Sequence, residues 1–122
     1  TVLIDNNDVR FVGDNGIYAD QSSNLTISNN TIDDTLDDGI DVNGGNNITI
    51  TNNLIGVLFG NIGDDGVDVD GSSDVTISNN RITDAADAGI ELRDTNGLEI
   101  LFNDIFENGN YGLWARGTGN GS

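Results

Sequence analysis

The sequence predicts an all-β fold: a right-handed parallel β-helix of about five coils of 23 residues, one of them extended by four residues. Three observations predict it. Asparagine recurs at Asn7, Asn30, Asn53, Asn80 and Asn103, in steps of 23, 23, 27 and 23. Glycine recurs at Gly16, Gly39, Gly66, Gly89 and Gly112, in steps of 23, 27, 23 and 23. Apolar residues keep the same periods in five columns. A fixed period of this length is the signature of a stacked repeat, in which each unit buries its apolar face only against its neighbours.

The first column holds Val2, Leu25, Ile48, Val75 and Leu98, and the second Ile4, Ile27, Ile50, Ile77 and Ile100. Together they mark a strand of the "VTIS" kind, with alternate residues facing in. The asparagine turn follows. A sharp turn favours a left-handed backbone, which asparagine tolerates, and stacked amides can hydrogen-bond from coil to coil. The next column, Val9, Ile32, Ile55, Ile82 and Ile105, marks a second short strand. The four extra residues fall after it, within "LIGVLFGNIG", between Asn53 and Gly66. Then come the glycine and a third strand, of the "GIDV" kind. Its inward positions are Ile17, Ile40, Val67, Ile90 and Leu113, then Ala19, Val42, Val69, Leu92 and Ala115. Runs this short and this rich in β-branched residues are strands rather than helices. Each coil is thus expected to be three short strands separated by turns. Parallel crossovers favour the right hand.

The chain is 122 residues long with a net charge of −17, set by 21 acids against four arginines. That field repels nucleic acid and attracts cations. Cysteine, histidine, methionine and proline are absent, so neither a disulfide nor a thiolate metal site exists. No apolar run approaches the ~18 residues that span a bilayer, so membrane insertion is not expected. The first residue is already in register, which points to a single β-helix segment, residues 1–122, within a longer chain. The column that begins at Val2 arrives at Gly121. Both ends then offer open strand edges, to be covered by flanking chain or by a second copy stacked end to end. Asn24, Asn29, Asn47 and Asn120 head Asn-x-Ser/Thr sequons at turns, a weak signal in a chain so rich in Asn and Thr.

The acids also keep register. Asp14, Asp37, Asp64 and Asp87 form one column before the glycine, and Asn15, Asp38 and Asp65 the next. Outward on the third strand stand Tyr18, Asp41, Asp68, Glu91 and Trp114, and two residues on Asp20, Asn43, Asp70, Arg93 and Arg116. Like charges stacked about 4.8 Å apart repel. The stack therefore needs an offset: solvation, capping of the "GI" backbone N–H groups, or Ca²⁺, which takes several oxygen ligands. The candidate metal ligands are Asp37, Asp38, Asp64, Asp65, Asp68 and Asp70. The candidate ligand-binding column is Tyr18, Asp41, Asp68, Glu91 and Trp114, whose end aromatics suit stacking on sugar rings.

"DDGIDVNGGNNITITNNLI" and "DDGVDVDGSSDVTISNNRI" resemble the right-handed parallel β-helix repeats of secreted and cell-surface proteins, among them pectate lyases, polygalacturonases and mannuronan epimerases. The resemblance implies an extracellular or cell-surface scaffold or binding module, calcium-stabilised and associated with polysaccharide. It implies alternatively part of a hydrolase, lyase or epimerase acting on an acidic polysaccharide. In the polygalacturonase pattern the catalytic carboxylates would fall on Asp38, Asp64 and Asp65. The Gly-His-Gly of that pattern reads Asp87-Ala88-Gly89 here, and its Arg-x-Lys is missing, Arg93 and Arg116 standing alone. The remaining general-base options are carboxylate, Tyr and Arg, which favours the scaffold or binding module.

Overall fold

The computed structural model describes residues 1–117. The chain winds as a parallel β-solenoid of about five turns, and no helix occurs among the described residues. The strands are β1 (Val2–Asp5), β2 (Asp8–Val12), β3 (Ile17–Ser28), β4 (Thr31–Thr35), β5 (Ile40–Thr51), β6 (Leu54–Ile55), β7 (Val67–Ser78), β8 (Arg81–Ile82), β9 (Ala88–Arg93), β10 (Asn96–Leu101), β11 (Asp104–Ile105) and β12 (Tyr111–Arg116). One sheet runs β1-β3-β5-β7-β9-β12, with β10 also paired to β7. The other runs β11-β8-β6-β4-β2. Every pairing is parallel, and every register follows the sequence columns, for example Ile27↔Ile50↔Ile77 and Asp41↔Asp68↔Glu91.

The inward columns form one continuous core. Ile27, Ile40, Val42, Ile48, Ile50, Ile55, Val67, Val69, Val75, Ile77, Ile82 and Ile90 are fully buried. Stacking supplies what no single coil can, since each apolar rung is covered above and below by its equivalent. The glycine column serves close approach. A Cβ on Gly39 would lie 2.6 Å from the Gly66 carbonyl oxygen, and one on Gly66 would lie 2.6 Å from that of Gly89. Coils pass too near here for any side chain.

Three expectations change. The "GIDV" and "VTIS" strands are continuous in the middle coils, where β3, β5 and β7 each run 12 residues. The strand passes round a corner turned by left-handed residues, Gln21 and Asn24 in one coil, Gly44, Gly45 and Asn47 in the next. Equivalent corners stack, so pairing skips Gln21 and Asn24 but continues between them at Ser22↔Gly45 and Ser23↔Asn46. The left-handed residue of the asparagine turn is also one place earlier than the ladder. It is Asn6, Asn29, Asn52, Asn79 and Phe102 that have φ between 56° and 59°.

The ladder asparagines do different work. Asn53 Oδ1 accepts the N–H and Nδ2 of Asn30, at 2.9 and 3.1 Å, while its own N–H and Nδ2 donate to Asn80 Oδ1. Asn53 Nδ2 also donates to the carbonyl of Ile27. The same links run from Asn7 through Asn103. The third change concerns the insertion, which narrows to residues 57–60. Asp33, fully buried, organises it: Asp33 Oδ1 accepts the N–H groups of Leu58, Phe59 and Gly60 at 3.1–3.2 Å. The Asn120 sequon and Gly121 lie outside the described residues.

Candidate cation site at the acidic turn

The turn before the glycine column is built by side-chain caps that cross from coil to coil. Asn15 Oδ1 accepts the N–H of Asp38 at 3.0 Å, Asp38 Oδ1 that of Asp65 at 2.9 Å, and Asp65 Oδ1 that of Ala88 at 2.9 Å. Backbone bonds run alongside, Gly16 and Gly39 donating to the carbonyls of Asp38 and Asp65. Capping therefore occurs, but onto the equivalent residue of the next coil rather than onto the glycine and isoleucine N–H groups of the same turn. The period explains this. In a stack, the N–H one coil away is as near as any local one.

One oxygen of each carboxylate is thus structural. Burial makes the other consequential. Asp38 is 4% exposed, Asp65 1% and Asp68 7%. Simple solvation does not describe these residues. Asp68, outward on the third strand, has Arg93 and the carboxylates of Asp38 and Asp65 around it. Carboxylate oxygens of Asp38, Asp65 and Asp68 lie within 4.8 Å of one another. Two further groups flank them, Asp37 with Asp38 and Asp64, and Asp64 with Asp65 and Asp87, each including less buried members.

Arg93 does not stand alone. Its Nη2 donates to Asp68 Oδ2 at 3.1 Å and lies 3.6 Å from Glu91 Oε2. Asp68 Oδ1 remains buried without a partner. Burial pushes the Asp38 carboxyl up to about 8, with Asp68, Asp37 and Asp41 adding repulsion against the stabilising Asp65 N–H. Burial pushes Asp68 up to about 6 despite the opposing Arg93 guanidinium. Asp65 also moves up, first through burial, then through Glu91, whose carboxyl shares a hydrogen bond with it. Asp41 and Asp64 rise for the same first reason, with Asp37 next in each case. Carboxyls this close and this dry hold protons or a cation, since full ionisation without a counter-charge is unfavourable.

Of the residues singled out in sequence, Asp37, Asp38, Asp64, Asp65 and Asp68 converge. Asp70 belongs to none of the three groups; it stacks on Arg93, which reaches past it to Asp68. Asp41 bonds instead to Asn15 Nδ2 at 3.2 Å. Tyr18 and Trp114 stand at opposite ends of the column, four rungs or about 19 Å apart. Tyr18 is exposed and lines an open pocket of about 200 Å³ with Asp14 and Asn15. Trp114 packs near Tyr111, ring centroids 6.4 Å apart, under the Arg116 guanidinium. Two residues were not legible as participants, Arg93 as a partner of Asp68 and Asn15 as the first cap. Their columns were visible, but not the diagonal and inter-coil bonds.

Compared with known families, residues 1–121 match the model described as periplasmic copper-binding protein (NosD). No curated protein and no solved structure matches the chain.

Proposed function

The chain belongs to the NosD family of periplasmic copper-binding proteins; from that membership we propose that it is a periplasmic or cell-surface β-helix module, and from its buried carboxylates that the acidic turn face binds a hard divalent cation, Ca²⁺ foremost. Copper fits these residues poorly. The stack offers carboxylate oxygen alone, and the 122 residues contain no histidine, cysteine or methionine. Copper favours imidazole nitrogen and soft sulfur, whereas carboxylate and carbonyl oxygen suit calcium, magnesium and manganese. The observation that carries the reading is the convergence of Asp38, Asp65 and Asp68 in a buried setting.

A catalytic role for Asp38, Asp64 and Asp65 draws less support. Glycosidic cleavage needs two carboxyls open to the sugar on either side of the bond. Asp38 and Asp65 are buried and already cap the next coil. An acidic polysaccharide partner is consistent with the cation reading, because bridging Ca²⁺ would join two anionic surfaces. The exposed Tyr18 beside its pocket is the place for a sugar ring to stack.

Thermal melts test the cation reading. Ligand binding to the folded state alone stabilises it by about 2.7 kcal/mol at a hundred times Kd. Millimolar Ca²⁺ is expected to raise Tm by several degrees, chelator to reverse the rise, and Cu²⁺ to do less at equal concentration. An unchanged Tm in Ca²⁺ at low ionic strength, or a larger rise in Cu²⁺, overturns it.

A further inference from the structure

We propose that a single Ca²⁺ ion occupies a buried inner site made by Asp38, Asp65 and Asp68, with Arg93 as the residue that positions Asp68. This rests on the cation reading above and names the site within the acidic face that carries it. Of the three carboxylate groups among the described residues, only this one is buried throughout, and the other two each contain the exposed Asp64. An exposed acidic cluster is ordinarily solvated. A buried one needs a counter-charge.

The independent observation is Asp68. It is more than nine-tenths buried, its Oδ2 is taken by Arg93 at 3.1 Å, and its Oδ1 has no hydrogen-bond partner. Buried polar atoms are ordinarily satisfied, so an orphaned carboxylate oxygen among other carboxylates points to a ligand. Arg93 is not that ligand in full. One guanidinium faces Asp68 and Glu91 while Asp38, Asp41 and Asp65 crowd the same space. Arg93 holds Oδ2 and leaves Oδ1 as the Asp68 oxygen free to take a cation.

Donor type and burial favour the ion. Oxygens bound to one Ca²⁺ at 2.3–2.6 Å lie at most about 5 Å apart, and the three carboxylates here lie within 4.8 Å of one another. Mg²⁺ dehydrates reluctantly and usually keeps several waters, so a buried site built from protein carboxylates suits it less. Carboxylates supply only part of calcium's six to eight oxygens, and a few waters complete the shell. The site thus favours Ca²⁺ over Mg²⁺.

Calorimetric titration with Ca²⁺ and Mg²⁺, and Tb³⁺ luminescence lifetimes in H₂O and D₂O, test this on the whole chain. Asp68→Asn touches only the inner group. Asp37→Asn with Asp87→Asn touches only the outer ones. Asp68→Asn is expected to weaken Ca²⁺ binding at least tenfold, and the outer double variant less than threefold. Bound Tb³⁺ is expected to retain about five waters or fewer, since three carboxylate oxygens out of six to eight leave three to five places. Asp38→Asn guards against a fold defect in Asp68→Asn. Asn15 already makes the same cap through an amide oxygen, so Asp38→Asn keeps the turn and is expected to lose the same tenfold. If the outer variant abolishes binding while Asp68→Asn and Asp38→Asn leave it intact, the cation reading stands and the inner site is wrong. If the wild-type chain binds no Ca²⁺, both are wrong.

Discussion

Asp38 and Asp65 occupy equivalent places one coil apart, and Asp38 Oδ1 accepts the Asp65 N–H at 2.9 Å. Each carboxylate therefore serves two ends. One oxygen holds the next coil in register, and the other faces the acidic stack. Capping and cation binding, alternatives when the residues are read singly, are compatible here because a carboxylate has two oxygens and a stack has two directions. Without cation, the stack's charge is relieved by protons. That sets the first prediction.

In metal-free buffer, stability is expected to fall as pH rises from about 5 to about 8. The carboxyls of Asp38 and Asp68 titrate near 8 and 6 in the folded chain, against about 4 when unfolded. Asp65 moves in the same direction. Between these limits the folded state binds more protons than the unfolded, so the stabilisation present below pH 4 is lost as pH climbs through the folded values. The groups facing them are Asp37, Asp41, Asp64, Glu91 and the single cation Arg93. Tm measured across pH in chelator should drop toward pH 8 and then level. The Asp38→Asn, Asp68→Asn double variant should flatten that slope. A slope unchanged in the variant would place its origin in the overall charge of −17 rather than in this site.

The asparagine ladder is expected to be intolerant of charge. Asn53 is fully buried, and its Nδ2 donates to both the Ile27 carbonyl and Asn80 Oδ1. Asn53→Asp keeps the shape but replaces that donor with an acceptor facing two acceptors. Each buried group left unpaired costs about 1–3 kcal/mol, so the change should cost about 4 kcal/mol. Asn7→Asp, at the exposed end, should cost much less. Denaturant melts of the two variants check this; equal losses would mean that burial along the ladder does not matter.

The core register predicts a third result. Ile50 pairs with Ile27 and Ile77 and is fully buried. Ile50→Ala should cost about 3 kcal/mol, as large-to-small changes in tight cores do. The neighbouring Thr49→Ala, on the outer face, should change stability by less than about 0.5 kcal/mol. Similar losses at both positions would refute the assigned faces.

The architecture was legible because the period leaves little choice. Once Ile27, Ile50 and Ile77 fall in one column, their stacking, their face and the alignment of the aspartates follow. Columns say which residues are neighbours but not which side chains cross between columns. Arg93 stacks on Asp70 by register yet bonds to Asp68, a matter of side-chain rotamer that no period encodes. The burial of Asp68 was hidden for the same reason, since its position alternates outward and its neighbours Arg93, Asp38 and Asp65 come from other columns. Asp33 left no periodic trace at all. Its column reads Arg10, Asp33, Gly56 and Thr83, and its three N–H partners exist only because the four residues after Gly56 bulge toward it.

Phe102 offers a gain rather than a loss. It has φ of 58° at the turn where Asn6, Asn29, Asn52 and Asn79 hold the same conformation, and it is 84% exposed. A left-handed backbone places Cβ against the following carbonyl, at a cost of about 1–2 kcal/mol for most L-residues, and asparagine bears it best after glycine. The phenylalanine ring recovers little of that by burial. Phe102→Asn restores the residue that the other four coils use and should stabilise the fold by about 0.5–1 kcal/mol. Phe102→Gly should do at least as well, because glycine has no Cβ to strain, less its larger loss of freedom on folding. Phe102→Ala keeps the strain and should bring no gain. Denaturant midpoints for the three variants decide the matter. A gain from alanine equal to that from asparagine would assign the effect to removal of an exposed ring and not to backbone conformation.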